Sequence, residues 1–275
     1  MRNKSKLAGL LLIFLTLFAF SCKKNETYDV SVEDISLAEV LVKSKIVIGV
    51  SAYNPPMSFY NSKKELDGFD IDVFKEIADV MNIEAEFQTV NTGEVLQLIT
   101  NGDIDCIASG FSYSDERTKY YEMTQPYLRN AVVLVTLKQK ELKNLEDLKG
   151  KKIGGQKGSL GISVIKNNPE LTAKIAYVRD TYNNITEVLG DLKNLGIDAG
   201  VADLSAIIEY LANEPDVYKI FGDALAMDYY VYAFKKGSLA LKNEVEKNLL
   251  KLEQQGTLEK ISRKWFGADR IILGK

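Results

Sequence analysis

The chain has 275 residues, of which 35 are basic and 38 acidic, so its formal net charge is −3. This length accommodates one large domain or two ordinary ones. The negative balance argues against a nucleic-acid partner, which needs a basic face on the protein. The sequence contains no histidine, which excludes triads with a histidine base, and two cysteines are too few for a conventional thiolate zinc site. We therefore expect neither a metal nor a cofactor.

The amino terminus has the pattern of an export signal. Three basic residues precede an apolar run over residues 7–20, which is short for a transmembrane span. Cys22 follows this run as at a bacterial lipoprotein cleavage site, although Ala19 stands where leucine is usual. We predict a lipoprotein signal peptide over residues 1–21 and a lipid anchor (palmitate) on Cys22; the alternative is an ordinary signal peptide with an incidental cysteine. Cleavage leaves 32 basic and 38 acidic residues, a net charge of −6, and Cys106 as the one thiol, expected to be a small core residue.

The first part of the mature chain predicts an α/β unit. Residues 22–44, polar at their start, are predicted to tether the anchor to the domain. Strands are predicted at residues 46–50 and 84–90, and a helix with one apolar face follows each of them. A hairpin tip is predicted at residues 61–66. Strands that alternate with helices indicate an α/β domain with a largely parallel sheet.

The stretch after the second helix contains a candidate binding arginine. Ser114 is a good N-cap, so a helix is expected to begin there. Arg117 lies in its first turn, where a cation opposes the helix dipole. The arginine is explained if it faces an anion shared with open backbone amides of residues 110–112, because guanidinium binds a carboxylate through two parallel bonds. The alternative is a surface arginine paired with Asp115 or Glu122.

The remaining elements predict a second α/β unit and a helical end. Strands are predicted at residues 131–137 and 231–234, on either side of a segment with a glycine-containing loop at residues 156–161. A helix opened by such a loop can bind an anion with its first amides, although this signal is weak alone and lacks the ending of a P-loop. Apolar residues recur at helical spacing between Leu241 and Trp265, which indicates core packing.

A faint internal repeat connects the two units. The sequence NGDID at residues 101–105 is echoed by NLGID at residues 194–198, and Gly110 and Asp203 follow the two copies at the same distance. Both residues are expected just past the end of a short strand, at the edge where open α/β sheets bind ligands. Two lobes facing each other through these edges would form a cleft with Asp203 opposite Arg117. The alternative is that Asp203 caps the helix that follows it.

These residues together resemble a bacterial solute-binding protein of the polar amino-acid family (family 3), the extracytoplasmic subunit of an ATP-driven (ABC) importer. The resemblance covers residues 45–267, and it is specific through the order and spacing of its motifs rather than through any single one. The motifs are NPPM at 54–57, GFDID at 68–72, GDID at 102–105, SDER at 114–117, QPY at 125–127, LEDLKGK at 145–151, VAD at 201–203, GTL at 256–258 and KWFG at 264–267.

The resemblance implies a two-lobed α/β fold of the periplasmic-binding-protein type (type II), with two hinge strands between the lobes. Lobe one would comprise residues 45–134 together with residues 233–275. Lobe two would comprise residues 135–232. The hinge strands would lie near residues 132–135 and 231–234.

The resemblance also implies a site for an α-amino acid between the lobes. In this family the arginine of the SDER motif binds the ligand carboxylate with help from the preceding backbone. Here Arg117 would bind the carboxylate, with Gly110 and Ser112, and Asp203 would bind the ligand ammonium. The loop that opens the first helix of lobe two would add donors at Ser159 and Leu160.

Three departures from the family pattern affect the walls of this site. Asn54 stands where the family often has an aromatic residue that covers the ligand, and Tyr53 precedes it. Thr92 stands at a second position where the family commonly has an aromatic residue. Leu160 stands after Ser159, where the family usually has a threonine. The anchors for an α-amino acid are therefore intact, while the specificity for its side chain is in doubt.

The expected function is capture of a polar amino acid and its delivery to an ABC permease in the membrane. The protein would act as a monomeric, membrane-anchored lipoprotein of the periplasm or cell surface, and not as an enzyme. One alternative is an enzyme on the same scaffold, similar to cyclohexadienyl dehydratase, with Glu94, Asp70 or Lys157 as acid or base. Another alternative is an amino-acid sensor. The sequence does not identify which amino acid is bound.

Overall fold

The computed structural model describes residues 33–274, so the predicted signal peptide, Cys22 and the start of the tether lie outside the described residues. No helix among the described residues has the length and apolar character needed to cross a membrane.

Single 3₁₀ turns cover Arg117–Lys119 and Leu145–Leu148. The α-helices are α1 (Ser36–Lys43), α2 (Phe69–Met81), α3 (Val95–Asn101), α4 (Leu160–Lys166), α5 (Pro169–Lys174), α6 (Ile185–Lys193), α7 (Leu204–Asn213), α8 (Leu239–Gln254) and α9 (Thr257–Phe266). The strands are β1 (Lys45–Val50), β2 (Tyr53–Asn54), β3 (Ser58–Tyr60), β4 (Leu66–Asp67), β5 (Glu84–Thr89), β6 (Cys106–Ser112), β7 (Tyr121–Met123), β8 (Leu128–Leu137), β9 (Lys152–Gln156), β10 (Tyr177–Tyr182), β11 (Ala199–Asp203) and β12 (Tyr218–Lys235).

A mixed sheet runs through the described residues in the order β10-β9-β11-β8-β12-β6-β1-β5, with β7 also paired to β12. Strands β5, β1 and β6 are parallel to one another, and so are β10, β9 and β11. Parallel neighbours need a crossover connection, and helices supply it in both groups. Strands β8 and β12 are antiparallel to their neighbours and lie between the two groups. The predicted parallel pairing is therefore confirmed in the outer groups, whereas the centre is antiparallel.

The hairpin predicted near residues 61–66 is also present. Strands β2, β3 and β4 form a small antiparallel sheet in which Tyr60 pairs with Leu66. The backbone amide of Lys64 donates to Asn61 O at 2.9 Å and closes the turn. Asn61 Oδ1 accepts from the Lys63 and Glu65 amides, as asparagine commonly does in turns.

The buried apolar residues divide into two regions. One region contains side chains of α2, β1, β6, α8 and α9, such as Phe74 and Leu249, and a smaller cluster from α3, β6, β7 and β12. The other contains side chains of β9, β11, α4 and α6, such as Ile153 and Leu192. The division falls within β8 and β12, which supports the predicted lobe boundaries. We retain those boundaries as a proposal.

The segment predicted as a tether is partly folded, because Ser36–Lys43 form helix α1. Val40 is 1% exposed, and Leu37 packs against the same core, so this helix buries an apolar face. The Leu241 amide donates to Ser36 Oγ at 3.2 Å, which joins α1 to the start of α8. The prediction of a tether through residue 44 is therefore wrong for residues 36–43, since their apolar residues recur at helical spacing.

Ser114 precedes a 3₁₀ turn and not the α-helix that the sequence predicted. Its Oγ accepts from the Arg117 amide at 3.2 Å, but Arg117 is the first residue of the 3₁₀ turn and Glu116 occupies the N-cap position. The turn ends at Lys119, and the chain continues into β7, where Tyr121 pairs with Lys235 of β12. The Tyr121 side chain is buried in the core. Strand pairing and burial therefore override the local helix signal.

The internal repeat has a structural counterpart in two aspartates. Asp105 Oδ2 accepts from the Val47 amide at 2.8 Å, and Asp198 Oδ2 accepts from the Lys152 amide at 3.0 Å. Each aspartate precedes a strand, β6 or β11, and binds the neighbouring parallel strand, β1 or β9. The same bond thus aligns corresponding strands in both copies. Cys106, the next residue in the first copy, is buried as predicted.

Candidate functional site

One cleft collects the predicted ligand-binding residues, with a cavity of about 70 Å³ between two sides. We call these sides the first wall and the second wall. The first wall contains Ser51, Asn54, Thr92, Ser109, Gly110, Ser112 and Arg117. The second wall contains Gln156, Ser159, Leu160, Ile185, Val201, Ala202, Asp203 and Ala206. Every predicted ligand-binding residue lines this cleft except Tyr53.

Arg117 reaches from the first wall to the second. Its Nη1 donates to Ser112 O at 2.6 Å, and its Nη2 donates to Gly158 O at 2.9 Å. The guanidinium lies over the Phe111 ring, with Cζ 4.2 Å from the ring centroid. Desolvation lowers the pKa of Arg117 from its usual value, and the nearby Tyr121 and Asp203 oppose this change. The cation is therefore held in a partly dry site by neutral acceptors.

The alternative interpretation of Arg117 as a surface partner of Asp115 or Glu122 is not supported. Asp115 Oδ1 accepts from the hydroxyl of Tyr113 at 3.0 Å. Glu122 forms an ion pair with Lys236 at 3.0 Å. The positive charge of Arg117 is thus available to an anion in the cleft.

The backbone at Ser109 and Gly110 is bound by Asp70. Asp70 Oδ2 accepts from the Ser109 amide at 2.8 Å and from the Gly110 amide at 3.0 Å. The hydroxyls of Tyr127 and Tyr232 also donate to this fully buried carboxyl, at 2.9 and 2.8 Å. Burial raises the pKa of Asp70 to about 6, against the effect of these donors. The expectation that the Gly110 amide is open to an anion is therefore wrong, because Asp70 already occupies it.

A second buried carboxyl, Asp228, lies behind Ser112. The Ser112 hydroxyl donates to Asp228 Oδ2 at 3.0 Å, and Asn130 Nδ2 donates to the same oxygen at 2.9 Å. The Asp228 side chain is 1% exposed, and burial raises its pKa. Ser112 therefore binds Arg117 through its carbonyl oxygen, while its hydroxyl is already bound to Asp228.

Asp203 is the last residue of β11 and occupies the N-cap position of α7. Its side chain makes no capping hydrogen bond. The Oδ1 atom is buried and has no hydrogen-bond partner within the described part of the chain. Burial raises the pKa of Asp203 to about 8, Asp228 adds to the rise, and Arg117 opposes it. The capping position is as the sequence allowed. Tyr230 is a side-chain hydrogen-bond partner of this carboxyl and opposes the rise of its pKa, but Oδ1 is free for a ligand, and leaving this buried oxygen without a donor is energetically costly.

The loop of the second wall opens α4 as predicted. Ser159 Oγ accepts from the Ile162 amide at 3.3 Å and caps the helix. Leu160 is the first helical residue, so its amide has no acceptor within the helix. The Ser159 hydroxyl hydrogen and the Leu160 amide are therefore donors at the lining of the cleft.

Asn54 and Tyr53 point in different directions because they are neighbours in β2. Successive side chains of a strand alternate between its faces. Asn54 lines the cleft, and its Nδ2 donates to Ser109 O at 2.8 Å. Tyr53 is 55% exposed and contributes nothing to the lining. Thr92 lines the first wall, and its Oγ1 accepts from Gln156 Nε2 of the second wall at 2.7 Å.

The sequence model of the bacterial extracellular solute-binding proteins, family 3, matches residues 46–268. The chain belongs to this family. It is 31% identical to the ABC transporter glutamine-binding protein GlnH of Bacillus subtilis, over 85% of each chain. The structure is similar to that of Tv2483 bound to L-arginine, with a TM-score of 0.84, 34% identity and coverage of 89% of this chain and 99% of that one. A substrate-binding protein of an ABC uptake transporter from Streptococcus pneumoniae with bound histidine has a TM-score of 0.83, 29% identity and coverage of 87% and 99%.

The predicted type II fold with two α/β lobes is thus that of family 3. The site of this family 3 protein has a cation, Arg117, on one wall and a carboxyl group with an unbound oxygen on the other. Neutral hydroxyls and amides lie between Arg117 and Asp203. No group of three or more cysteine, aspartate or glutamate side chains among residues 33–274 is arranged to hold a metal ion. The three residues considered for acid–base chemistry, Asp70, Glu94 and Lys157, do not line the cleft.

Several lining residues of this family 3 site escaped the sequence analysis. Ser51 directly follows β1, so the edge argument could have found it, whereas Ser109 lies within β6 beside the predicted Gly110. Gln156 opens the glycine loop that was singled out for other residues. Asp228 gave no signal, because β12 brings it to Ser112 from 116 positions away in the chain.

Proposed function

We propose that the protein captures a zwitterionic α-amino acid in the cleft between the first and second walls. The observation that carries this proposal is the pair formed by Arg117 and Asp203, a desolvated cation and a buried carboxyl with an unbound oxygen on opposite walls. An α-carboxylate would accept from Arg117, and an α-ammonium would donate to Asp203 Oδ1. Charge-assisted bonds of this kind are about twice as strong as neutral ones.

Neutral donors of the second wall support the same placement of the ligand, beside Arg117, whose Nη1 is held by Ser112 O of the first wall. They are the Leu160 amide and the Ser159 hydroxyl, which line the cleft together with Arg117. These groups would complete the bonding of the carboxylate. Gly110 would not bind the carboxylate, since Asp70 takes its amide; its carbonyl could accept only from the α-ammonium.

The proposal includes closure of two lobes over the ligand. The lobes would be residues 45–134 with 233–275, and residues 135–232, joined by hinge strands within β8 and β12. Two bonds that join the walls support this idea, from Arg117 Nη2 to Gly158 O and from Gln156 Nε2 to Thr92 Oγ1. A ligand that binds the closed form better would shift the population towards it.

We further propose that the protein is a monomeric lipoprotein anchored through Cys22 at the periplasmic or outer face of a membrane. There it would deliver its ligand to an ABC permease. The names of its relatives support an uptake role. The pattern around Cys22 supports the anchor.

A thermal-shift screen of the twenty amino acids on the mature protein tests the function. We expect at least one α-amino acid to raise the unfolding temperature in a concentration-dependent way, because a ligand that binds only the folded state stabilises it. The same ligand without its α-amino group should have a much smaller effect. The absence of any shift with all twenty would contradict the proposal.

A further inference from the structure

Among the described residues that line the cleft, only Arg117 and Asp203 have ionisable side chains, and these are the groups that would bind the main chain of an amino acid. The polar side chains next to them are Ser51, Asn54 and Thr92 of the first wall and Gln156 of the second wall. None of these four residue types is ionised at neutral pH. A charged ligand side chain would therefore find no opposite charge in this lining.

The bonds that these side chains already make leave two acceptors. Asn54 Nδ2 donates to Ser109 O at 2.8 Å, and no hydrogen bond within the described residues engages its Oδ1. Gln156 Nε2 donates to Thr92 Oγ1 at 2.7 Å and to Asn183 O at 3.0 Å. Its Oε1 likewise has no hydrogen bond within the described residues. Neutral carbonyl oxygens of this kind suit an amide or hydroxyl hydrogen.

The same side chains leave two donors. Ser51 Oγ accepts from the Tyr53 amide at 3.1 Å, so its hydroxyl hydrogen can be donated to a ligand. The Thr92 hydroxyl accepts from Gln156 and keeps its own hydrogen as well. Donors and acceptors are thus both present, which matches a carboxamide or hydroxyl side chain.

Charged residues of two adjoining pockets are not part of the lining of the cleft. Glu94 and Lys157 line a pocket that shares Thr92 with the cleft, and Glu116 lines another pocket that shares Thr92 and Arg117 with it. The hydrogen bond from Gln156 to Thr92 therefore lies where the pocket of Glu94 and Lys157 meets the cleft. The cavity of about 70 Å³ is also small beside the roughly 300–1,000 Å³ of typical small-molecule pockets.

We propose that the cleft selects amino acids with an uncharged, hydrogen-bonding side chain, a hydroxyl or a carboxamide, and rejects cationic and anionic ones. This inference rests on the proposed function. It separates the protein from the relative whose structure holds L-arginine. The physical reason is that a charge moved out of water without a partner is strongly disfavoured.

Isothermal titration of the mature protein with single amino acids tests the selection. We expect the best of serine, threonine, asparagine and glutamine to bind at least about tenfold more tightly than arginine, lysine, aspartate or glutamate. Equal or tighter binding of a charged amino acid, or of leucine or methionine, would overturn the inference and leave the proposed function intact. Binding of no amino acid at all would overturn both.

A pair of variants tests whether Ser51 faces the ligand side chain. Ser51→Asp keeps an acceptor for the Tyr53 amide, because aspartate and asparagine make the same turn bond as serine. It should shift the preference towards arginine or lysine by about tenfold or more. Ser51→Asn adds similar bulk without charge and should not do so. An equal preference in the two variants would overturn the placement of the side chain at this end.

Discussion

Asp70 Oδ2 accepts the backbone amide of Gly110 at 3.0 Å, although the two residues are 40 positions apart in the chain. The buried carboxyl belongs to α2, and the amide belongs to β6 at the first wall. Ser109 and Gly110 both have positive φ, 80° and 67°, and the same carboxyl binds both amides. The shape of the first wall therefore depends on a residue outside its lining.

Asp70→Asn should destabilise the protein strongly. The carboxyl accepts from four donors, and an asparagine would turn an NH₂ group towards some of them. We expect a loss of about 2 kcal/mol or more in the free energy of unfolding, since buried donors lose their acceptor. Urea denaturation of the ligand-free protein measures this loss. Asp79→Asn, at an exposed position of the same helix, serves as the control and should change stability little; similar effects of both substitutions would contradict this role of Asp70.

Arg117→Ala should weaken amino-acid binding by roughly 2–5 kcal/mol, because the ligand carboxylate would be desolvated without its partner. Arg117→Lys should restore only part of the affinity, since an ammonium cannot reproduce the two parallel bonds of guanidinium. Titration calorimetry with the ligand found in the screen measures both. Arg129→Ala removes an exposed arginine outside the cleft and should bind as the wild type does. Unchanged affinity in Arg117→Ala would refute the assignment.

Asp203 should make the ligand-free protein less stable as the pH rises. Its pKa is raised from 3.8 to about 8, so between these values the folded state holds a proton that the unfolded chain has released. Stability falls with pH wherever the folded state binds more protons. Because Asp203→Asn cannot ionise, it should unfold at a higher temperature than the wild type at pH 9, and the difference should be much smaller at pH 5. Asp223→Asn, at an exposed position, should differ from the wild type at neither pH; a gain of stability for Asp203→Asn that is equal at both pH values would contradict the assigned titration.

Cys22→Ser should release the protein from the membrane fraction of cells that express the full chain. A single acyl chain binds a membrane only marginally, so a stable anchor needs more than one chain on this cysteine. Cell fractionation followed by immunoblotting measures the distribution. Cys106→Ser removes the buried cysteine and should leave the distribution unchanged. Continued membrane association of Cys22→Ser would refute the anchor.

Much of the fold followed from short-range patterns. The apolar runs and helix periods predicted β1, α2 and α8, because those elements bury one face or both. The helix expected after Ser114 did not form, because the chain continues into β7, where Tyr121 pairs with Lys235 of β12. Helix α1 was missed because the polar residues before it dominated the interpretation of that segment.

The candidate site was predictable where a motif carries the chemistry. Arg117, Asp203 and the loop at Ser159 came from local patterns together with the resemblance, and the structure brings them to one cleft. The partners of these residues were not predictable. Asp228 and the bond from Asp70 to Gly110 depend on pairing across long separations, which leaves no trace in a single sequence.

The comparison of an amino acid with its des-amino analogue in Asp203→Asn tests the central claim most directly. The substitution keeps the shape of the side chain and removes its charge. If Asp203 Oδ1 binds the α-ammonium, the variant should lose about 2 kcal/mol or more of affinity for the amino acid, as expected for a charged hydrogen bond, and far less for the des-amino analogue. Titration calorimetry of both ligands with both proteins gives the four values needed. Equal losses for the two ligands would contradict the account, because Asp203 would then not act as the ammonium ligand.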